Sequence, residues 1–150
     1  MEAATGAMIR FFAPGTPVTK GSLIPVLRRR SDGSPYVTLR EQMGTALVTW
    51  RAVVATQAKR AMKQQMPFTG PLAATLTFYF PRPAADKRHT RVWVAGNKRY
   101  DLDKLQRAVF DAMGDAAVYL DDALVARITA EKRYVVGDER PGVVVVLEVL

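Results

Sequence analysis

The stretch "RYDLDKLQRAVFDAM", residues 99–113, sets Asp101 and Asp103 two positions apart where a helix is about to begin, with Arg99, Lys104 and Arg107 among them. A second acidic pair, Asp121 and Asp122 in "VYLDDALV", follows that one short helix. Side chains at i and i+2 share a face when the chain is extended, so Asp101 and Asp103 can converge as the backbone turns into helix. If the helix returns antiparallel to the next strand, Asp121 and Asp122 come back beside them at one edge of a sheet. Several hard carboxylate oxygens in one place suit Mg²⁺, which takes a few carboxylates together with water and substrate phosphate. An ion held that way activates a water and screens the charge that builds on phosphorus as a phosphodiester is cut. Each pair alone has a plainer reading: acids at a helix start cap it and meet its dipole, and "DD" in a turn is an ordinary solvated pair. The two pairs together, in a basic chain, favour the metal site.

Other chemistries are excluded by what is missing. The chain has no cysteine, which rules out thiolate zinc sites and cysteine nucleophiles and fits a reducing compartment. His89 is the only histidine, so a histidine metal cluster is excluded too. No stretch approaches the roughly 20 apolar residues that span a bilayer, and "MEAATGAMIRFFAPG" lacks the apolar core of a signal peptide. These features predict a cytoplasmic protein with no membrane partner.

The charge is +8, from 22 Lys and Arg against 14 Asp and Glu. It lies in two places. Between residues 82 and 100, Arg82, Lys87, Arg88, Arg91, Lys98 and Arg99 face one acid, Asp86, for a net +5; Arg28, Arg29 and Arg30 supply the other +3. A surplus confined to two loop-like stretches is the footprint of a polyanion-binding surface.

The elements that must position these residues follow from pattern. Residues 7–15 read as a first strand, broken by Pro14 and Gly15. A proline- and glycine-rich loop leads to a short strand near 36–39. From residue 41 to about 65 there is no proline, and Leu47, Trp50, Val54, Ala58 and Ala61 recur every three or four positions, which predicts a helix. Residues 72–80 alternate as a strand, and 81–100 read as a long mobile loop. A second helix over 102–113 presents Leu102, Leu105, Val109, Ala112 and Met113 on one face, with Gly114 as its stop. Strands over 123–136 and 141–150 close the chain, and the run Val143–Leu147 predicts a central strand buried on both faces. The 150 residues are a single-domain length. The expected fold is α/β (α+β): one domain over 1–150, with a mixed sheet of about five strands packed with two helices.

The segment "DLDKLQRAVFDAM…VYLDDALV", residues 101–125, resembles the RusA-like Holliday junction resolvases, whose helix D-x-D-N-L-x-K-A-x-x-D-A-L is followed by D-D-x-Q/A-V. "GTPVTKG" near the front is similar to that family's N-terminal segment. The resemblance implies a Mg²⁺-dependent endodeoxyribonuclease, with Mn²⁺ able to substitute, that acts as a homodimer and nicks a four-way junction symmetrically. It places the metal-binding and catalytic acids at Asp101, Asp103 and Asp122, with Asp121 beside the last. The family's lysine position is Arg107, which keeps the charge and grips phosphate bidentately but does not shed a proton. Lys104 stands where the family has asparagine, and Asp111 is expected to orient Arg107 as an i,i+4 ion pair. Lys87, Arg88, Arg91, Lys98, Arg99 and Lys104 are the expected DNA contacts, with Trp93 either a wedge or a packed anchor. Two alternatives stay open: a broader nuclease of branched or flap DNA, and a non-catalytic basic DNA-binding protein.

Overall fold

A computed structural model describes residues 7–21, 23–41, 44–96 and 100–150. Its elements are β1 (Met8–Pro14), β2 (Leu23–Arg29), β3 (Pro35–Glu41), α1 (Thr45–Met62), β4 (Leu72–Phe80), α2 (Leu102–Asp115), a 3-10 turn (Asp122–Leu124), β5 (Val125–Tyr134) and β6 (Gly142–Val149). Four strands form one mixed sheet in the order β1-β6-β4-β5. β6 runs antiparallel to both its neighbours, and β4 and β5 are parallel. A parallel pair needs a crossover, and α2 supplies it. The fold is α+β, as expected, with its strands divided into this sheet and a separate β2–β3 ribbon.

The ribbon contains the strand that pattern reading misses. Pro25 argues against a strand in "LIPVLRR", because proline cannot donate to a ladder. A two-stranded ribbon has two outer edges, so a missing N–H there disrupts nothing. β2 pairs with β3 in register, Leu27 opposite Val37 and Arg28 opposite Tyr36.

Both helices lie on one face of the sheet. Ile9, Phe11 and Ala13 of β1, alternate residues of β4 from Leu72 to Phe80, and Val143, Val145 and Leu147 of β6 are buried beneath them. The helices contribute Leu47, Trp50, Val54, Ala58 and Met62 from α1, and Leu105, Val109 and Met113 from α2. The valine run predicts burial on both faces, but Val144 and Val146 face the open side and are only half-buried. β6 is central in the sheet, but among the described residues no second layer of helices covers its other face. Burial on one face alone is enough to fix the register, because a one-residue slip would turn Val143, Val145 and Leu147 outward.

Helix ends also differ from expectation. α2 passes through Gly114 and stops when Ala117 adopts a left-handed conformation, φ 55°. Residues 81–96 are not a free loop. Arg82 donates to the Val135 carbonyl at 3.2 Å and pairs with Asp86 at 3.0 Å. Tyr134 N–H donates to the Val92 carbonyl at 3.0 Å, and Val94 is buried. The segment is stapled onto the end of β5 by the Arg82 bond to Val135 and the main-chain bonds of Val92 and Val94 with Tyr134 and Lys132, and the Arg82–Asp86 pair braces it internally.

Candidate active site

The first acidic pair opens α2. Asp101 is the N-cap residue, yet its side chain makes no capping hydrogen bond. Its carboxylate instead lies 3.5 Å from the Lys104 ammonium. Capping therefore does not account for this aspartate. Asp103 is 3.9 Å from Arg107, and both side chains are about two-thirds exposed, at 68% and 67%. The expected Arg107–Asp111 pair is not what forms. An acid one turn N-terminal to a base is the better i,i+4 orientation, and Asp103–Arg107 has that order while Arg107–Asp111 has the reverse.

The second pair sits on the 3-10 turn before β5. Asp121 accepts the Ala123 N–H at 2.8 Å and holds the turn. Asp122, the next residue, is exposed. The approach is fixed from behind by Tyr119, a buried ring whose hydroxyl donates to the Phe110 carbonyl at 2.5 Å. Phe68 is bridged to the same stretch: its N–H donates to the Val118 carbonyl at 2.9 Å, and its carbonyl accepts the Leu120 N–H at 3.2 Å. Each position from 118 to 120 is thereby tied to α2 or to residue 68, directly ahead of the acids.

Asp121 and Asp122 open on a cavity of about 300 Å³, lined also by Arg51, Asp111, Asp115 and Tyr119. Arg51 and Asp115 close one wall as an ion pair at 2.8 Å. Lys20, from the segment between β1 and β2, reaches Asp111 at 3.0 Å, with both side chains about a quarter exposed. The Lys20 main-chain N–H donates to the Lys104 carbonyl at 3.1 Å, so one residue touches both the first turn of α2 and the acid in its second half. Desolvation first, then the hydrogen bond to Asp121 and the negative charges of Asp121 and Asp111, raise the Asp122 carboxyl above its ordinary value; Lys20 works the other way. Burial, and after it the charge of Asp122 and the other acids here, pushes the Tyr119 phenol up strongly, which keeps it a neutral donor.

The structure thus groups Asp111, Asp121 and Asp122 around Lys20, while Asp101 and Asp103 carry their own basic partners. Asp103 and Asp111 are separated by eight residues, about 12 Å of helix. The returning chain arrives beside the second half of α2 rather than its first turn. Among the described residues, no three acids stand close enough to share one ion. The donors are of the right chemistry for a hard divalent cation, and the crowding that raises Asp122 is the kind a cation relieves, but the ligands are not drawn together here.

Lys20 is the residue that sequence reasoning missed. Its segment is recognisable as "GTPVTKG", but a lysine some 80 residues from the acids carries no local signal of proximity to them. Of the basic residues expected to meet DNA, Lys98 and Arg99 lie outside the described residues. Arg88 is bound to Asp86 at 2.9 Å through Nε. Arg91 stacks on Trp93 at 4.6 Å and stands 3.8 Å from Glu131. The Trp93 backbone bridges to Arg133 while its ring stays half-exposed, so the residue is anchored through its main chain and presents its ring with Arg91. Lys87 belongs to the stapled segment and Lys104 to α2, so the two stand on different elements.

No described helix is long and apolar enough to cross a membrane. A comparison with curated proteins gives no match. The family model Endodeoxyribonuclease RusA matches residues 14–148, a span that takes in both acidic pairs, Lys20, the ribbon and the stapled loop. The chain belongs to the RusA endodeoxyribonuclease family.

Proposed function

We propose that this chain is a Mg²⁺-dependent, structure-selective endodeoxyribonuclease that resolves four-way junctions by paired symmetric nicks, acting in the cytoplasm as a homodimer. Asp101, Asp103 and Asp122 are the assigned metal ligands, Asp121 a supporting acid and Arg107 the charge at the phosphate. The observation that carries the reading is that Asp101 stands at a helix start without capping it, in a chain whose second acidic pair lines a cavity together with Asp111 and Asp115. When bound, the ion supplies a Lewis acid and an activated water.

The protein's own groups do the rest. Arg107, two-thirds exposed and weakly held at 3.9 Å, is free to turn from Asp103 to a phosphate and grip it through two N–H groups. Lys104 stands ready in the same way beside Asp101. Asp121 fixes the turn that presents Asp122. A twofold protein suits a substrate with two strands to cut, since two equivalent sites are then supplied. Recognition of a junction rests on phosphate positions and shape more than on base edges.

The test is a cleavage assay on a four-way junction, a Y-fork and a plain duplex, with and without Mg²⁺. Paired nicks in the junction, dependent on Mg²⁺ and absent from duplex, are expected. Equal cutting of fork and junction would move the assignment to a general branched-DNA nuclease, and binding without cutting would leave a DNA-binding protein.

A further inference from the structure

The β2–β3 ribbon is an element with no role in the fold just described. Its strands pack on each other, and neither packs extensively against another described element. Most of the side chains described on it are exposed and none is buried, and an apolar pair stands directly opposite each other, Leu27 at 67% and Val37 at 65% exposed. An isolated two-stranded hairpin is only marginally stable in water, so a ribbon kept in this form has something to lie against when it works.

The tip shows what that is. Arg28, Arg29 and Arg30 are all exposed there, against the single carboxylate of Asp32. Asp32 is turned inward: it accepts the Ser34 N–H at 2.8 Å and the Ser34 hydroxyl at 2.6 Å, which builds the turn and keeps the acid off the guanidiniums. Arg29 donates to the Gly33 carbonyl at 3.2 Å, and Arg30 lies over the Tyr36 ring at 4.8 Å. Both are oriented by these contacts with donors to spare, since a guanidinium has five N–H groups. A seven-residue strand extends about 23 Å, enough to carry the tip well clear of the body. The major groove of B-DNA is about 12 Å wide and admits a two-stranded β-ribbon.

We infer that the β2–β3 ribbon is a DNA-binding arm: Arg28, Arg29 and Arg30 engage phosphates of a duplex arm of the substrate while the Leu27–Val37 face lies along the groove. This rests on the nuclease reading above and extends its footprint beyond the active site. A second copy of the chain is the other occupant such a ribbon could take. The charge argues for DNA, because three clustered arginines repel their own symmetry mates. Pro25 and Pro35, one in each strand, also lack the N–H that pairing with a further strand requires.

The experiment compares wild type, the triple variant Arg28→Ser/Arg29→Ser/Arg30→Ser and the triple lysine variant at the same positions. Binding of a four-way junction and of plain duplex is followed across a salt series, with Ca²⁺ in place of Mg²⁺ to prevent cutting. Every phosphate that the protein no longer neutralises lowers the slope of log affinity against log salt by about 0.9, so the serine variant should drop by up to about 2.7 and the lysine variant by little. Cleavage at saturating enzyme should stay within about twofold of wild type, because phosphate contacts remote from the reacting atoms set binding rather than turnover. An unchanged slope in the serine variant overturns the inference. So does an unchanged slope together with loss of the assembly on a sizing column, which would give the ribbon to a second copy. If wild type itself neither binds nor cuts branched DNA, the functional reading fails and takes the arm with it, a result distinguishable from an unaltered slope.

Discussion

At the residue scale the acids separate by what else occupies them. Asp121 is engaged in its turn and Asp111 in a 3.0 Å ion pair, whereas Asp101 and Asp103 meet their bases only at 3.5 and 3.9 Å and Asp122 is exposed. Asp103→Asn keeps size and removes a charge, so fold and junction binding should survive while cleavage falls by at least about a hundredfold. Near-normal cutting at limiting Mg²⁺ would remove Asp103 from the site. Arg107→Lys should retain substantial activity, and Arg107→Ala should lose about 10²–10³ in turnover with little change in binding, as expected of a charge that matters most in the transition state. Lys20 invites a sharper test. Its ammonium offsets part of the repulsion among Asp111, Asp121 and Asp122, so Lys20→Ala should melt lower without metal and gain more from added Mg²⁺ than wild type does. Equal gains would confine Lys20 to a structural pairing with Asp111. Spacing along the chain is enough to read the two acidic pairs as candidates. It does not reveal Lys20, since an ion pair across some 90 residues to Asp111 exists only once the segment after β1 lies against α2.

At the element scale, periodicity finds both helices and every strand of the main sheet, because each buries a regular stripe. It misses β2, where proline contradicts the pattern, and it reads 81–100 as a mobile loop because the polar and main-chain bonds that hold 81–96 have no period. That staple has a pH signature. The hydrogen bonds from Arg88, and then the charges of Arg88 and Arg82, hold the Asp86 carboxyl far below its ordinary value. A depressed carboxyl contributes stability that is present above its unfolded value and lost only as pH falls through the folded one. The segment should therefore resist trypsin at Lys87 and Arg88 through neutral and mildly acidic pH, and Asp86→Asn should open it at neutral pH. Indifference of the cleavage pattern to Asp86→Asn would mean that Arg82 and the main-chain bonds to β5 secure the loop without Asp86. A second prediction concerns Gly142, φ 155°, at the β1–β6 end. A Cβ there would run into the Ala13 carbonyl and the Phe12 ring. Gly142→Ala should cost roughly 1–3 kcal/mol, as overpacking does, read as a lower Tm with no change in salt-dependent DNA binding.

At the scale of the whole molecule, charge is divided by sign. Among the described residues, Arg28, Arg29 and Arg30 stand at the ribbon tip and Arg82, Lys87, Arg88 and Arg91 on the stapled loop, while acids gather along α2 and the turn before β5. Composition can show that the surplus lies in two stretches. It cannot show that one of them lies on a ribbon apart from the main sheet, or that Asp86 and Glu131 pair with arginines of the other. The proposed metal site would link metal binding to stability. A cation that binds the folded chain alone raises its stability by about 2.7 kcal/mol at a hundredfold excess over Kd, which for a domain of this length moves Tm by roughly 5–11 °C. Wild type should show such a rise with Mg²⁺, and Asp122→Asn should show much less, because one ligand is gone and part of the crowding that a cation relieves has gone with it. The two readings of the acids divide here. Solvated, scattered carboxylates would give a small rise in both proteins, erased by ordinary salt at equal ionic strength. A site assembled from both acidic pairs would give a rise that NaCl does not reproduce and that Asp101→Asn lowers as far as Asp122→Asn does, although Asp101 stands at the start of α2 and Asp122 beside its second half.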